Sequence, residues 1–132
     1  MKEAERFSFR KRGNSFSHAL RGIVYLIKTE HNARVHLAAI IIATVAGAWL
    51  RIKPAEWVVI AIVIAFVLVT ELLNSAIEKL ADLVEPEWNK KVGIIKDYSA
   101  GAVLVAAIVS VVAGGVIFLP KIFHLIQGIL EN

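Results

Sequence analysis

The sequence predicts an all-α membrane protein in which three transmembrane helices follow an N-terminal amphipathic surface helix. Three observations carry that prediction. Of 132 residues, 58% are hydrophobic and the mean hydropathy is +0.68, whereas soluble domains average about 45–50% apolar residues; a 14.5 kDa globule has too little interior for the excess. The run Ser99 to Leu119 carries no charge, and about 20 apolar residues cross the ~30 Å hydrocarbon layer. Charge is distributed unevenly, with more than half of the fifteen Lys and Arg residues lying before Val35.

The elements follow in chain order. Residues 1–13 read as a charged cytoplasmic tail without an apolar period or the pattern of a signal peptide. In residues 14–31, Phe16, Ala19, Leu20, Ile23, Leu26 and Ile27 recur at spacings of three and four opposite His18, Arg21, Lys28 and Glu30. That pattern describes an amphipathic helix lying on a membrane surface. A first crossing is expected over 34–51; its apolar run from Val35 to Leu50 reaches only about 24 Å, so flanking residues complete it. The loop IKPAEW reverses the chain at Pro54. A second helix, 56–84, meets no Gly or Pro until Pro86, and at about 42 Å it outruns the bilayer core. Residues 85–95 form a polar connector, the third crossing covers 97–119, and 120–132 form a tail.

The arm and the second loop hold most of the cations, while the first loop has Arg51 and Lys53 and the final tail Lys121. Cationic loops stay cytoplasmic, which places the N-terminus inside and the C-terminus outside. The basic arm lacks the interleaved aromatics of a nucleic-acid site, so no nucleic-acid partner is expected. The absence of cysteine excludes disulfides, thiolate zinc and cysteine nucleophiles.

Chemistry concentrates in Glu71-Leu-Leu-Asn-Ser-Ala-Ile-Glu-Lys-Leu-Ala-Asp82. At roughly 100° per residue, Glu71, Asn74, Ser75, Glu78 and Asp82 share a sector about 100° wide. Such a stripe cannot face lipid, because even mild insertion scales charge roughly 2.5–3.5 kcal/mol for an ionised side chain at mid-bilayer. Asp82, and with it Glu78, could be a solvated helix end; Glu71 directly follows an apolar run and is the functional candidate. Glu30 lies on the same cytoplasmic side, as does Lys96-Asp97 at a helix start, where a lysine and helix N-terminus favour an anion. Carboxylates beside a phosphate site suit magnesium, which takes one or two of them together with phosphate oxygens. His31 and His36 read as interfacial side chains, too few for a zinc site.

ELLNSAIEKLADL resembles the signature of the prokaryotic diacylglycerol kinase family, which includes undecaprenol kinases. TEHNARVHL resembles the family's segment before its first crossing, and KDYSAGAVL its third-helix entry. The likeness spans about Asn14 to Gly115; TEHNARVHL and SAGAVL look closer to the undecaprenol-type branch. The resemblance implies a homotrimer in the bacterial inner membrane, with active sites shared between subunits at the cytoplasmic face. It implies transfer of the γ-phosphate of ATP, with Mg2+, to the hydroxyl of a membrane lipid alcohol, either diacylglycerol or undecaprenol. By position Glu71 matches the general base and Asn74 its polar partner. Glu30 and Glu78 match the carboxylates that hold magnesium with ATP, and Lys96 and Asp97 match nucleotide-binding positions. His18, Lys11 and residues 87–89 fall at further nucleotide-contact positions but depart from the family in residue type. No P-loop or kinase Gly-rich loop is present. The alternative reading is a small proton- or cation-coupled transporter in which Glu71 exchanges ions. It gives Glu30, Glu78 and Lys96-Asp97 no role.

Overall fold

A computed structural model of the chain describes residues 9–131, with side chains from residue 13 onward. Four helices account for almost all of it: α1 (Phe9–Thr29), α2 (His31–Trp49), α3 (Pro54–Val84) and α4 (Lys90–Leu130). No strand occurs among the described residues, and α2, α3 and α4 are each long and apolar enough to cross a membrane. Wide exposure of large apolar side chains, such as Ile42, Ile62 and Val111, is what a bilayer solvent requires.

Each helix boundary has a local cause. Glu30 takes an extended conformation (φ −98°, ψ 126°) and breaks α1 from α2. At the end of α2 the Ile52 amide donates to the Gly47 carbonyl (3.1 Å) and the Arg51 amide to that of Ala48 (3.3 Å), a Schellman closure. That closure puts Arg51 at φ 50°, where glycine is the residue without a Cβ penalty. Gly47 packs under Trp57 and Ile52: a Cβ built there meets both at 3.0–3.1 Å. Pro54 occupies the first turn of α3, where its missing N–H is harmless, and the Glu56 carboxylate accepts from the Lys53 amide. Replacing Arg51 by Gly is expected to stabilise the fold by up to about 1 kcal/mol, by relieving the left-handed conformation. A rise in the thermal unfolding midpoint in detergent checks this; a fall contradicts it.

The fourth helix is longer than the expected 97–119 at both ends. Asn89 caps it, its side chain accepting from the Lys91 amide at 2.9 Å, so the helix starts a full turn and more before Lys96. It also runs through Pro120. Proline removes one backbone bond there, a loss tolerated in membrane helices, and the apolar residues beyond it, among them Ile122, Phe123 and Leu125, continue the helix. The first helix likewise begins by Phe9 rather than at residue 14, and residues 1–8 of the expected tail lie outside the described residues.

Antiparallel α3 and α4 make the most extensive contact in the chain. Two ion pairs fix their register, Lys121 with Glu56 (3.1 Å) at one end and Lys96 with Asp82 at the other. The same register sets Ala106, which is fully buried, level with Glu71. A small side chain lets two membrane helices approach closely at that point. Contact between α2 and α3 is sparser, and α2, α3 and α4 enclose an apolar groove of about 430 Å³.

Candidate active site

The buried face of α3 runs through Ile60, Val67, Glu71, Asn74 and Ser75, at successive spacings of seven, four, three and one. The polar stripe is therefore the inward face continued, with lipid-facing Leu73 and Leu80 on the other side. Glu71 is only 2% exposed, and its Oε2 has no hydrogen-bond partner. The Asn74 side-chain amide donates to Glu78 Oε1 (3.1 Å), leaving the Asn74 carbonyl oxygen buried and unpaired. Two orphaned buried acceptors one turn apart are unusual, since such groups are nearly always satisfied in folded proteins. Both oxygens are left free to accept a hydrogen bond.

Glu30, at the α1–α2 break, reaches across to α3 and accepts from the Lys79 ammonium and from Thr29 Oγ1 (3.0 Å). Lys79 in turn stands 5.6 Å above the Tyr25 ring of α1. Glu30 and Glu78 are both close enough to Glu71 for their charges to act on it. The Lys79 hydrogen bond holds the Glu30 carboxyl below its usual range, against a smaller opposing effect of burial. A depressed carboxylate contributes stability above its unfolded pKa of about 4.3 and loses it as pH falls through the lower folded value. The pair is partly exposed, so its worth is at most about 1 kcal/mol. The stability gap between wild type and Glu30→Gln is accordingly expected to close on acidification below about pH 4. Unfolding midpoints recorded across that range test it, and a constant gap refutes it.

The structure thus brings Glu30, Glu71, Asn74 and Glu78 together, but not every expected residue joins them. Lys96 pairs with Asp82, about three turns along α3 from Glu71. Asp97 is exposed, with no ion pair among the described residues. His18 is exposed on α1, its Nδ1 3.2 Å from Arg21. Lys11 is in the first turns of α1, but its side chain lies outside the described residues. Asn89, another expected contact position, serves as the α4 cap.

Two residues at the site escaped the sequence reading. Lys79 flanks the stripe and holds Glu30. His36, read as an interfacial side chain, turns its Nε2 to 4.0 Å from Glu71 Oε2. The sequence showed only its position, one turn inside an apolar helix, and not its partner.

No group of three or more His, Cys, Asp and Glu side chains converges as a closed metal cage among the described residues. Glu30 and Glu78 instead offer hard oxygen donors from two different elements, which suits a cation that takes its remaining ligands from phosphate and water. The donor set fits magnesium carried with a nucleotide.

The family model for prokaryotic diacylglycerol kinase matches residues 17–118. An undecaprenol kinase of Bacillus subtilis (strain 168) is 39% identical over 108 residues, covering 82% of this chain and 88% of that protein. A diacylglycerol kinase of Synechocystis sp. is 36% identical over 112 residues, which is 84% of this chain and 64% of the relative. A diacylglycerol kinase of Escherichia coli (strain K12) is 35% identical over 74 residues, 56% of this chain and 61% of that protein. The chain therefore spans less than two thirds of the last two relatives' length.

Proposed function

This chain belongs to the prokaryotic diacylglycerol kinase family, and from that premise we propose that it is a membrane lipid kinase. It transfers the γ-phosphate of ATP to the hydroxyl of a lipid alcohol. The observation that carries this reading is Glu71, a buried carboxylate with a free oxygen, placed where an apolar helix face turns polar. A lipid hydroxyl sits at headgroup depth, so its proton acceptor must stand near the interface while the tails remain in hydrocarbon.

On this reading Glu71 takes the hydroxyl proton as the oxygen attacks the γ-phosphorus in line. Asn74 orients the site through its bond to Glu78. Glu30 and Glu78 are the residues that hold magnesium with the nucleotide. The ion, when bound, neutralises the charge that gathers on the phosphate oxygens. Lys96 and Asp97 serve the nucleotide, with His18 and Lys11 at the edge of its reach. Because Lys96 sits with Asp82 within one chain, the proposal includes a homotrimer, in which a neighbouring copy brings that lysine to the phosphates. It also includes a surface position for α1, whose Phe16, Leu20 and Ile23 are exposed, and a bacterial inner membrane with the N-terminus cytoplasmic and the C-terminus outside.

The transporter alternative finds no support, since the relatives are named as kinases. Undecaprenol is the favoured acceptor, because the relative of that name is matched over the larger share of its length. Purified protein incubated with magnesium, labelled ATP and either undecaprenol or diacylglycerol is the test. Label in the lipid fraction is expected; its absence with both acceptors overturns the reading, and the ratio between them assigns the substrate.

A further inference from the structure

A base that has accepted a proton must shed it before the next turnover, and Glu71, at 2% exposure, has almost no contact with water. The one polar ring that α2 directs at it is that of His36, whose Nε2 lies 4.0 Å from Oε2, the oxygen without a hydrogen bond. That gap is about 1 Å beyond a hydrogen bond and closes with a small side-chain rotation. His36 is itself 19% exposed, so the imidazole is not sealed in with the buried carboxylate. It also lines the apolar groove together with Ile40, Ile60, Val67, Ser110 and Phe118.

We propose that His36 is a positioning and proton-carrying residue, which receives the proton from Glu71 and passes it to water. This inference rests on Glu71 acting as the base. The steps balance as follows. The lipid O–H bond breaks with its proton going to Glu71 Oε2, and the oxygen's electron pair forms the bond to the γ-phosphorus. The bond from that phosphorus to the β–γ bridging oxygen breaks, and its electrons leave with ADP. The proton then moves from Glu71 to His36 Nε2, restoring the carboxylate, and the imidazolium releases one from Nδ1 to water; exchange with water afterwards returns the neutral ring to the tautomer with a free Nε2. The charged groups around the pair are Glu30 from the α1–α2 break and Glu78 from α3. Tyr25 stands on α1, and α4 contributes the uncharged Ser110 to the shared groove. A second acceptor beside a buried base supplies the exit that neither carboxylate does.

The test compares wild type, His36→Gln and His36→Ala at saturating ATP, magnesium and lipid, with Glu71→Gln as reference. His36→Gln is expected to keep both KM values within about threefold while kcat falls about tenfold to a hundredfold, below the usual ceiling for acid–base catalysis. The wild-type kcat should fall on acidification, as the proton acceptor becomes occupied, and that limb should be missing from His36→Gln. Added imidazole should restore kcat to His36→Ala, which a merely structural histidine does not allow. An unchanged kcat and pH limb in His36→Gln overturns the inference. If both variants fail to fold, a wild-type kcat that does not fall on acidification overturns it. Full activity in Glu71→Gln sinks the base assignment itself, whereas a dead Glu71→Gln beside an unaffected His36→Gln sinks only the relay.

Discussion

Glu71→Gln is expected to abolish lipid phosphorylation while leaving nucleotide binding nearly intact. The substitution preserves volume and hydrogen-bonding capacity but removes the proton acceptor. General base catalysis contributes roughly 10²–10⁴-fold, and the surviving positioning of the phosphoryl group cannot recover it. The amide also suits the buried site structurally: the wild-type Oε2 has no partner, so no existing bond is lost. The variant should thus fold, and binding of a fluorescent ATP analogue alongside single-turnover phosphorylation separates the two effects. Near-normal turnover in a folded Glu71→Gln protein removes Glu71 from its role.

The second large effect is expected at Glu78. Its carboxylate accepts from Asn74, and its charge, like that of Glu30, acts on both Glu71 and Lys79. Glu78→Gln keeps a partner for the Asn74 amide but halves the anionic donor set. The magnesium concentration for half-maximal rate is expected to rise by about tenfold or more, with kcat/KM for ATP falling in parallel, as for loss of one charged ligand. Chelation of magnesium should silence the wild type reversibly. A variant whose magnesium dependence overlays that of the wild type shows that Glu78 does not hold the ion.

How much of this was legible beforehand depends on whether a feature belongs to one helix or to two. The crossings were legible, because a charge-free run such as Ser99–Leu119 has one stable solution in lipid. The stripe was legible for the same reason: rotation about a single helix fixes which side chains share a face, and Glu71, Asn74 and Ser75 do share the buried one. The ends of α4 were not, since Pro120 and the polar start near Lys90 look like boundaries until capping and membrane context override them. Cross-helix partners were illegible altogether. That Lys79 meets Glu30, Lys96 meets Asp82 and His36 faces Glu71 depends on inter-helix rotation and register, quantities no local pattern encodes.

The grip of Lys79 on Glu30 has a consequence for the order of events. At rest an ammonium already stands beside one of the two carboxylates assigned to the metal. On the proposed reading, a divalent ion entering there would displace a single positive charge with two, a gain that a monovalent ion would not have. The displaced Lys79 would then be a loose cation at the rim of the site, free to meet a triphosphate. Metal entry and the unmasking of a phosphate-seeking side chain would thus be one exchange, a latch opened by the cargo it admits.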